Sequence, residues 1–137
     1  MGTSAAPRAH HQIGEVAERL GLSLRTIRYY EEVGLAKPSE RSPGGFRLYS
    51  DEDIDRLKRV VQMKPLGLSL ETMRELLDAR ERLERGSDQE ALDRLASIAA
   101  QARKECERLR VQLEAALTFS QTLERDLRRH RRRARGA

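Results

Sequence analysis

Residues 13–49 have the sequence IGEVAERLGLSLRTIRYYEEVGLAKPSERSPGGFRLY, and this stretch decides the fold of the first half of the chain. In it, a short helical pattern stops at Gly21, and a second pattern runs through TIRYYEEVGL at residues 26–35. A Pro-Gly-Gly turn at residues 43–45 then leads into a basic and aromatic stretch. Two short helices joined by a tight turn and followed by a glycine-rich loop predict a winged helix-turn-helix domain.

Each of the two predicted helices has one buried stripe. The first carries apolar residues at i, i+3, i+4 and i+7, which are Ile13, Val16, Ala17 and Leu20. Gly21 is the expected left-handed residue that ends this helix. Ser23 is the predicted N-cap of the second helix, because its hydroxyl can accept from the free amides of the first turn. The second helix is then predicted to bury Leu24, Ile27 and Tyr30.

The second helix and the loop after it both present side chains suited to nucleic acid. On the outward surface of the helix the pattern places Arg25, Thr26, Arg28 and Tyr29. A two-stranded wing is predicted beyond it, with residues 36–39 pairing with residues 46–49 across the Pro-Gly-Gly turn. The wing side chains of the types that hold phosphate oxygens are Lys37, Arg41, Arg47 and Tyr49. A glycine-rich loop alone is weak evidence, but behind such a helix it favours DNA binding over an unrelated helical hairpin.

Two further helices are predicted before the chain changes character. Residues 50–53 form an acidic capping box that begins a third helix, which Pro65 and Gly67 end. Ser69 begins a fourth helix, and Gly86 closes the region. We therefore expect a disordered leader over residues 1–11, the winged domain over 12–80, a linker over 81–88, a coiled-coil helix over 89–128 and a basic tail over 129–137.

After Asp88, a predicted N-cap, apolar and small residues alternate at intervals of three and four. The resulting seam consists of Leu92, Leu95, Ala99, Ala102, Cys106, Leu109, Leu113, Ala116, Ser120, Leu123 and Leu127. A single helix cannot bury such a stripe alone, so the seam predicts a coiled-coil homodimer. Leu92 and Leu127 are about 52 Å apart in a helix rising 1.5 Å per residue. A rod of that length can hold two heads at successive major grooves, which predicts an inverted-repeat DNA site.

Some residues on or beside the seam have more than one interpretation. Ile98, Leu117 and Phe119 flank it and are candidates to pack on the partner's head. For Cys106, a small buried role is favoured over redox or metal sensing, because no second cysteine or suitably spaced histidine is near. A parallel coil would bring two Cys106 residues together, whereas an antiparallel coil centred near Leu109 would separate them.

Composition narrows the class of protein. One cysteine among 137 residues excludes an intrachain disulfide and favours a reducing cytoplasm. The sequence lacks both a run of about 20 apolar residues for a membrane span and a secretory signal pattern. Seven arginines and one aspartate give residues 125–135 a charge of +6, and the rest of the chain nets −1, so overall basicity is no argument for DNA binding. The arginine run is either a DNA-binding arm or a solubilising tail.

The elements TIRYYE and GGFRLYS, followed by LGLSLETMRELL, resemble the DNA-binding head of the MerR family of bacterial transcription regulators over Ile13 to about Leu77. The resemblance implies a winged helix-turn-helix head, an antiparallel dimerisation coil, and a promoter that is bent and untwisted so that RNA polymerase can engage it. Helix residues would then lie at the major groove, and wing residues would contact the backbone. The candidate DNA-binding set is Ser23, Arg25, Thr26, Arg28, Tyr29, Lys37, Arg41, Arg47 and Tyr49.

The sequence departs from the family pattern in two ways. Pro65 stands where many members continue a helix. Gly86-Ser87-Asp88 occupies the place where metal-sensing members carry a cysteine, so we expect neither a cofactor nor a metal, and the inducer is not evident. No catalytic constellation is recognisable, and an enzyme is not expected. Two alternatives to a transcription regulator stay open: an architectural or recombination-accessory DNA-bending protein, and a coiled-coil adaptor with a vestigial head.

Overall fold

The computed structural model describes residues 10–136, so most of the leader predicted over residues 1–11 lies outside the described part. The elements are β1 (His10–Gln12), α1 (Ile13–Leu20), α2 (Leu24–Glu32), β2 (Glu40–Arg41), β3 (Arg47–Ser50), α3 (Asp51–Met63), α4 (Leu70–Arg85) and α5 (Gln89–Gly136). This order confirms a mainly helical chain with a winged helix-turn-helix followed by a long helix.

The helix-turn-helix forms where local side-chain chemistry predicts it. Gly21 has φ +65° and ends α1 in the left-handed region, as expected. The Ser23 hydroxyl accepts from the Thr26 amide at 3.1 Å, which confirms it as the N-cap of α2. Ile27 and Tyr30 are buried as predicted, but Leu24 is exposed because it occupies the first turn of α2 at the surface.

The sheet differs from the predicted wing in strand number and register. It is antiparallel in the order β1-β3-β2, and its third strand, β1, contains His10 and His11, which we predicted to be part of a disordered leader. On the wing side, β2 pairs Glu40 with Leu48 and Arg41 with Arg47, so the predicted pairing of residues 36–39 with 46–49 is wrong. The turn is tighter than predicted because Ser42 and Phe46 already close it, with the Ser42 amide donating to the Phe46 carbonyl at 2.8 Å.

The helices α3 and α4 complete the core beneath α2. Ser50 and Asp53 form the predicted capping box of α3, and a 3₁₀ turn at Lys64–Leu66 separates α3 from α4. One hydrophobic cluster joins these elements, and its fully buried large members are Tyr49, Ile27, Leu35, Leu57, Val16 and Val60. This core holds α2 with one face inward and the opposite face free.

Helix α5 contributes its first turns to the same compact unit. The chain divides into two units, of which one ends at Ile98 and the other begins at Ala99. Ile98 is buried in the core of its own head, so the expectation that it packs on a partner's head is wrong. The link between α4 and α5 is also shorter than the predicted linker over 81–88, since α4 extends to Arg85.

Asp88 caps the start of α5, as predicted from the sequence. Its carboxylate accepts from the Ala91 amide at 3.0 Å and pairs with Arg82 at 2.8 Å. The Ala91 hydrogen bond, supported by Arg82, lowers the pKa of this carboxyl below its ordinary value. The ionised cap and the arginine together fix the turn between α4 and α5.

The second unit is a single continuous helix. Helix α5 runs to Gly136, so it extends beyond the predicted coiled-coil helix over 89–128 into the predicted basic tail. Large apolar side chains are exposed along it within the single chain, namely Val111, Leu113, Leu117, Phe119, Leu123 and Leu127. Cys106 is exposed as well.

Candidate nucleic-acid interface

The outward face of α2 bears three of the predicted contacts, and within residues 10–136 their polar side-chain atoms form no hydrogen bond or ion pair. Arg25 and Arg28 are exposed, and 45% of the Tyr29 surface is accessible. All three project from a helix whose opposite side is anchored by Ile27 and Tyr30 in the core. The core therefore presents these side chains on a rigid element.

Ser23 and Thr26 are engaged with each other at the start of α2. Their hydroxyl oxygens are 2.8 Å apart, and Thr26 is only half-exposed. Both side chains remain at the surface, but their hydrogen bonds serve the helix cap. We therefore regard them as residues that fix the start of α2.

An open concavity of about 570 Å³ lies between α2 and the wing. It is lined by Arg28, Glu31, Glu32, Lys37 and Arg47. Three cations from the helix, the following loop and β3 thus converge on one surface depression, although they are 9 to 19 positions apart along the chain. Guanidinium and ammonium groups in such an open site can hold phosphate oxygens by charge-assisted hydrogen bonds.

Glu31 ties the wing to α2 and was not predicted from the sequence. Its two carboxylate oxygens accept from Arg41 Nη2 at 2.9 Å and from Arg47 Nε at 2.5 Å. Arg41 also donates to the Gly45 carbonyl at 3.3 Å, which connects the bridge to the wing turn. The signal in the sequence was the acidic pair Glu31-Glu32, one turn after Arg28 on the side of the helix that carries Arg25 and Arg28. Arg47 uses only its Nε in this bridge, its other two guanidinium nitrogens form no hydrogen bond within residues 10–136, and the residue lines the concavity.

Tyr49 does not belong to the exposed surface, which corrects its assignment as a DNA contact. Its relative exposure is 0%, and its hydroxyl has no hydrogen-bond partner within residues 10–136. Burial, reinforced by the nearby Glu31 charge, raises the pKa of this phenol above its ordinary value. Arg47 lies two residues earlier on the same face of β3, but its longer side chain reaches Glu31 at the rim while the Tyr49 ring packs in the core.

His11 forms a second polar cluster at the base of the sheet. Its Nδ1 lies 3.0 Å from Glu15 Oε2, and its Nε2 lies 2.8 Å from Asp51 Oδ1. These hydrogen bonds, first that to Asp51 and then that to Glu15, raise the pKa of His11. Among residues 10–136 there is no group of three or more His, Cys, Asp or Glu side chains arranged to hold a metal ion. Every helix in that range is also too short or too polar to cross a membrane.

A capped recognition-type helix, a tight turn and an adjacent basic wing define a winged helix-turn-helix protein. A family model described as "MerR HTH family regulatory protein" matches residues 12–80, about half of the chain. The chain therefore belongs to the MerR family, and the resemblance inferred from the sequence is confirmed.

Similar proteins agree with this assignment. The chain is 43% identical over 74 residues to the HTH-type transcriptional regulator YfmP of Bacillus subtilis, covering 53% of each chain. It is 44% identical over 70 residues to the HTH-type transcriptional regulator ZntR of Escherichia coli K12, covering 51% of this chain and 50% of ZntR. The chain thus spans about half the length of these curated relatives. The crystal structure of MtaN, the N-terminus of a Bacillus subtilis multidrug transporter activator, matches with 31% identity and a TM-score of 0.56, covering 82% of this chain and 97% of MtaN.

Proposed function

We propose that this protein is a cytoplasmic, homodimeric, sequence-specific transcription regulator. It binds an inverted-repeat promoter site and bends or untwists that site to control access of RNA polymerase. The concavity that Arg28, Lys37 and Arg47 share beside the exposed face of α2 carries this proposal. Its lining has three cations and two carboxylates, a net charge of +1, and its cations lie between α2 and the wing, where a duplex would present base edges flanked by phosphates.

The names of similar proteins support regulation of transcription over the other uses of a winged head. YfmP and ZntR are described as transcriptional regulators, and MtaN belongs to a transporter activator. A MerR family regulator that shares the fold is described as bound to promoter DNA. The curated relatives align with this chain only over the DNA-binding head. Binding to a promoter and an effect on RNA polymerase are therefore proposed for this chain.

The exposed stripe on α5 supports the homodimer. In the single chain, Leu113 and Leu123 are 58% and 54% exposed although both occupy seam positions. Leaving such leucines in water costs hydrophobic free energy that a second copy of the helix would recover. The proposed dimer seam is Leu92, Leu95, Ala99, Ala102, Cys106, Leu109, Leu113, Ala116, Leu123 and Leu127.

Selection of bound duplexes from a random pool tests the proposal directly. We expect an inverted repeat to be enriched, and in vitro transcription from a promoter that contains it should change when the protein is added. Scrambling one arm of the repeat should weaken binding, because each mismatched base pair costs about 1–3 kcal/mol. Bound duplexes that share no common sequence would instead support an architectural DNA-bending protein. A selected site that binds but leaves transcription unchanged would support the same alternative.

Substitutions in the concavity test the site itself. We expect Arg28→Ala and Arg47→Ala each to weaken binding and to make its salt dependence shallower, by about 0.9 in the log–log slope for each phosphate that is no longer neutralised. Lys104→Ala is the charge-matched control, because Lys104 is exposed on α5, outside the compact unit that contains the head. Unchanged affinity in both arginine variants would remove the head from DNA binding and favour a coiled-coil adaptor.

A further inference from the structure

The proposed function does not use the most strongly charged segment of the chain. Residues 125–135 contain seven arginines and one aspartate, and all of them lie within α5. The remainder of the chain has a net charge of −1, so the net positive charge of the protein comes from this segment. A helical segment presents its charges in fixed directions, unlike a disordered tail.

The arginines avoid the positions that continue the apolar seam. Beyond Leu127, the alternation of three and four residues leads to His130 and Ala134, and neither position holds an arginine. At 100° per residue, the seven arginines occupy an arc of roughly 200° on the opposite side of the helix. In the proposed coiled coil, the inner face of this segment continues the seam while its outer face is purely basic.

The rest of α5 balances its cations, whereas this segment does not. Arg108 pairs with Glu105, and Arg110 lies near Glu107 and Glu114. Within residues 10–136, the one carboxylate partner of a segment arginine is Asp126, which lies 3.4 Å from Arg129.

Unbalanced cations also repel one another along the helix. Arg128 and Arg132 are four residues apart, as are Arg129 and Arg133, so like charges face each other on adjacent turns. A solubilising surface needs no such arrangement, because mixed charges solvate a helix without repulsion. A bound polyanion would relieve the repulsion and release its own counterions.

We propose that the outer face of residues 125–135 is a second DNA-binding surface, which contacts duplex phosphates without reading base sequence. This proposal rests on the proposed function, because a duplex held by the head presents its phosphates at high local concentration to the rest of the same protein. The surface adds salt-dependent affinity to any duplex, and the head supplies the choice of site.

Two matched double variants test this surface. Arg128→Gln with Arg132→Gln removes two outward cations of the segment, and Lys104→Gln with Arg108→Gln removes two outward cations from the balanced part of α5. Both pairs have i,i+4 spacing, and glutamine retains helix propensity close to that of arginine. Light scattering and circular dichroism should show that both variants keep the mass and helicity of the wild type. Arg125→Gln with Arg129→Gln serves as a second segment variant.

The measurement is the dissociation constant for the selected operator and for an unrelated duplex across a series of KCl concentrations. Single-stranded RNA and phosphatidylglycerol vesicles are titrated in parallel as other polyanions. We expect the segment variants to lose the same factor in affinity for both duplexes, and their salt slope to become shallower by about 0.9 for each phosphate that the segment no longer neutralises. The control variant should behave like the wild type.

The outcomes separate this proposal from the proposed function. Segment variants with the slope and affinities of the control would overturn the second surface, even if operator binding is intact. Losses confined to single-stranded RNA or to phosphatidylglycerol vesicles would overturn it too and assign the arginines to that polyanion. Absence of operator preference in the wild type would reject the proposed function, yet the slope on the unrelated duplex would still test the segment.

Discussion

At the scale of single residues, the structure separates two side chains that the sequence pattern groups together. Arg47 and Tyr49 alternate with Leu48 and Ser50 along β3 and therefore share a face of the strand. Arg47 extends to Glu31 at the rim of the concavity, whereas Tyr49 pairs with His11 of β1 in the sheet and is covered by the core. The sequence could not show that Tyr49 is buried, because its partner strand β1 lies 38 residues earlier in the chain.

Tyr49→Phe distinguishes the buried role of Tyr49 from a DNA-contacting role. Removing a buried hydroxyl that has no partner in the described residues should leave stability unchanged or raise it, by up to about 1 kcal/mol, since an unsatisfied buried polar group is costly. DNA affinity should stay the same. Urea unfolding measures the stability, and a DNA titration measures the affinity. By contrast, Tyr49→Ala should reduce the stability by about 3–5 kcal/mol, because it leaves a cavity in the core. A loss of DNA affinity in the phenylalanine variant, with stability intact, would restore Tyr49 to the interface.

His11 should make the stability of the head depend on pH near neutrality. Its pKa is raised from 6.5 in the folded state by hydrogen bonds to Asp51 and Glu15, so the folded protein holds this proton to higher pH than the unfolded chain. The contribution of His11 to the stability of the fold is therefore complete below the pKa of His11 in the unfolded chain. It is lost as pH rises through the pKa of His11 in the folded protein. Thermal unfolding at a series of pH values should show this fall above about pH 6.5. In His11→Gln that part of the pH dependence should vanish, whereas His10→Gln should retain it.

At the scale of elements, local chemistry was predictable and long-range pairing was not. Ser23, Ser50 and Asp88 were predicted as caps and act as caps, because each bonds an amide within three residues. The register of the wing and the existence of β1 depend on partners far along the chain, which periodicity does not encode. The Glu31 bridge is of the same kind, since it joins α2 to wing residues 10 and 16 positions later.

The two glycines of the first helix region form a matched pair for testing the helix-turn-helix. A Cβ added at Gly14 or at Gly21 would meet nothing within 4 Å, but Gly21 alone has φ +65°. Gly14→Ala should therefore stabilise the head by about 0.5–1 kcal/mol through helix propensity. Gly21→Ala should destabilise it by about 1–2 kcal/mol, because an L side chain is strained in the left-handed region. Denaturant unfolding measures both, and equal effects of the same sign would contradict the assigned turn.

At the scale of the whole molecule, the proposed function depends on pairing through α5, which the single chain leaves with an exposed apolar stripe. The seam includes alanines and Ser120, so it buries less apolar area than a leucine-rich seam would. Its remaining leucines should therefore each contribute strongly to dimer formation. The first turns of α5 are held in the head by Ala91 and Ile98, which connects the dimer helix to the DNA-binding domain within one element.

Leu113→Glu and Val111→Glu compare a seam position with a position on the opposite side of the same helix. The two side chains are similarly exposed in the single chain, at 58% and 55%, so neither substitution should disturb the head. A glutamate placed in each helix of a coiled-coil seam loses its water without gaining a partner charge, so we expect Leu113→Glu to shift the solution mass toward one chain. Val111→Glu should remain a dimer. Light scattering measures the mass, and binding to one-arm and two-arm operators shows whether the loss of pairing removes the preference for the inverted repeat. A Leu113→Glu protein that stays dimeric and keeps that preference would place the dimer interface elsewhere, and the spacing of the two DNA half-sites could then no longer be attributed to α5.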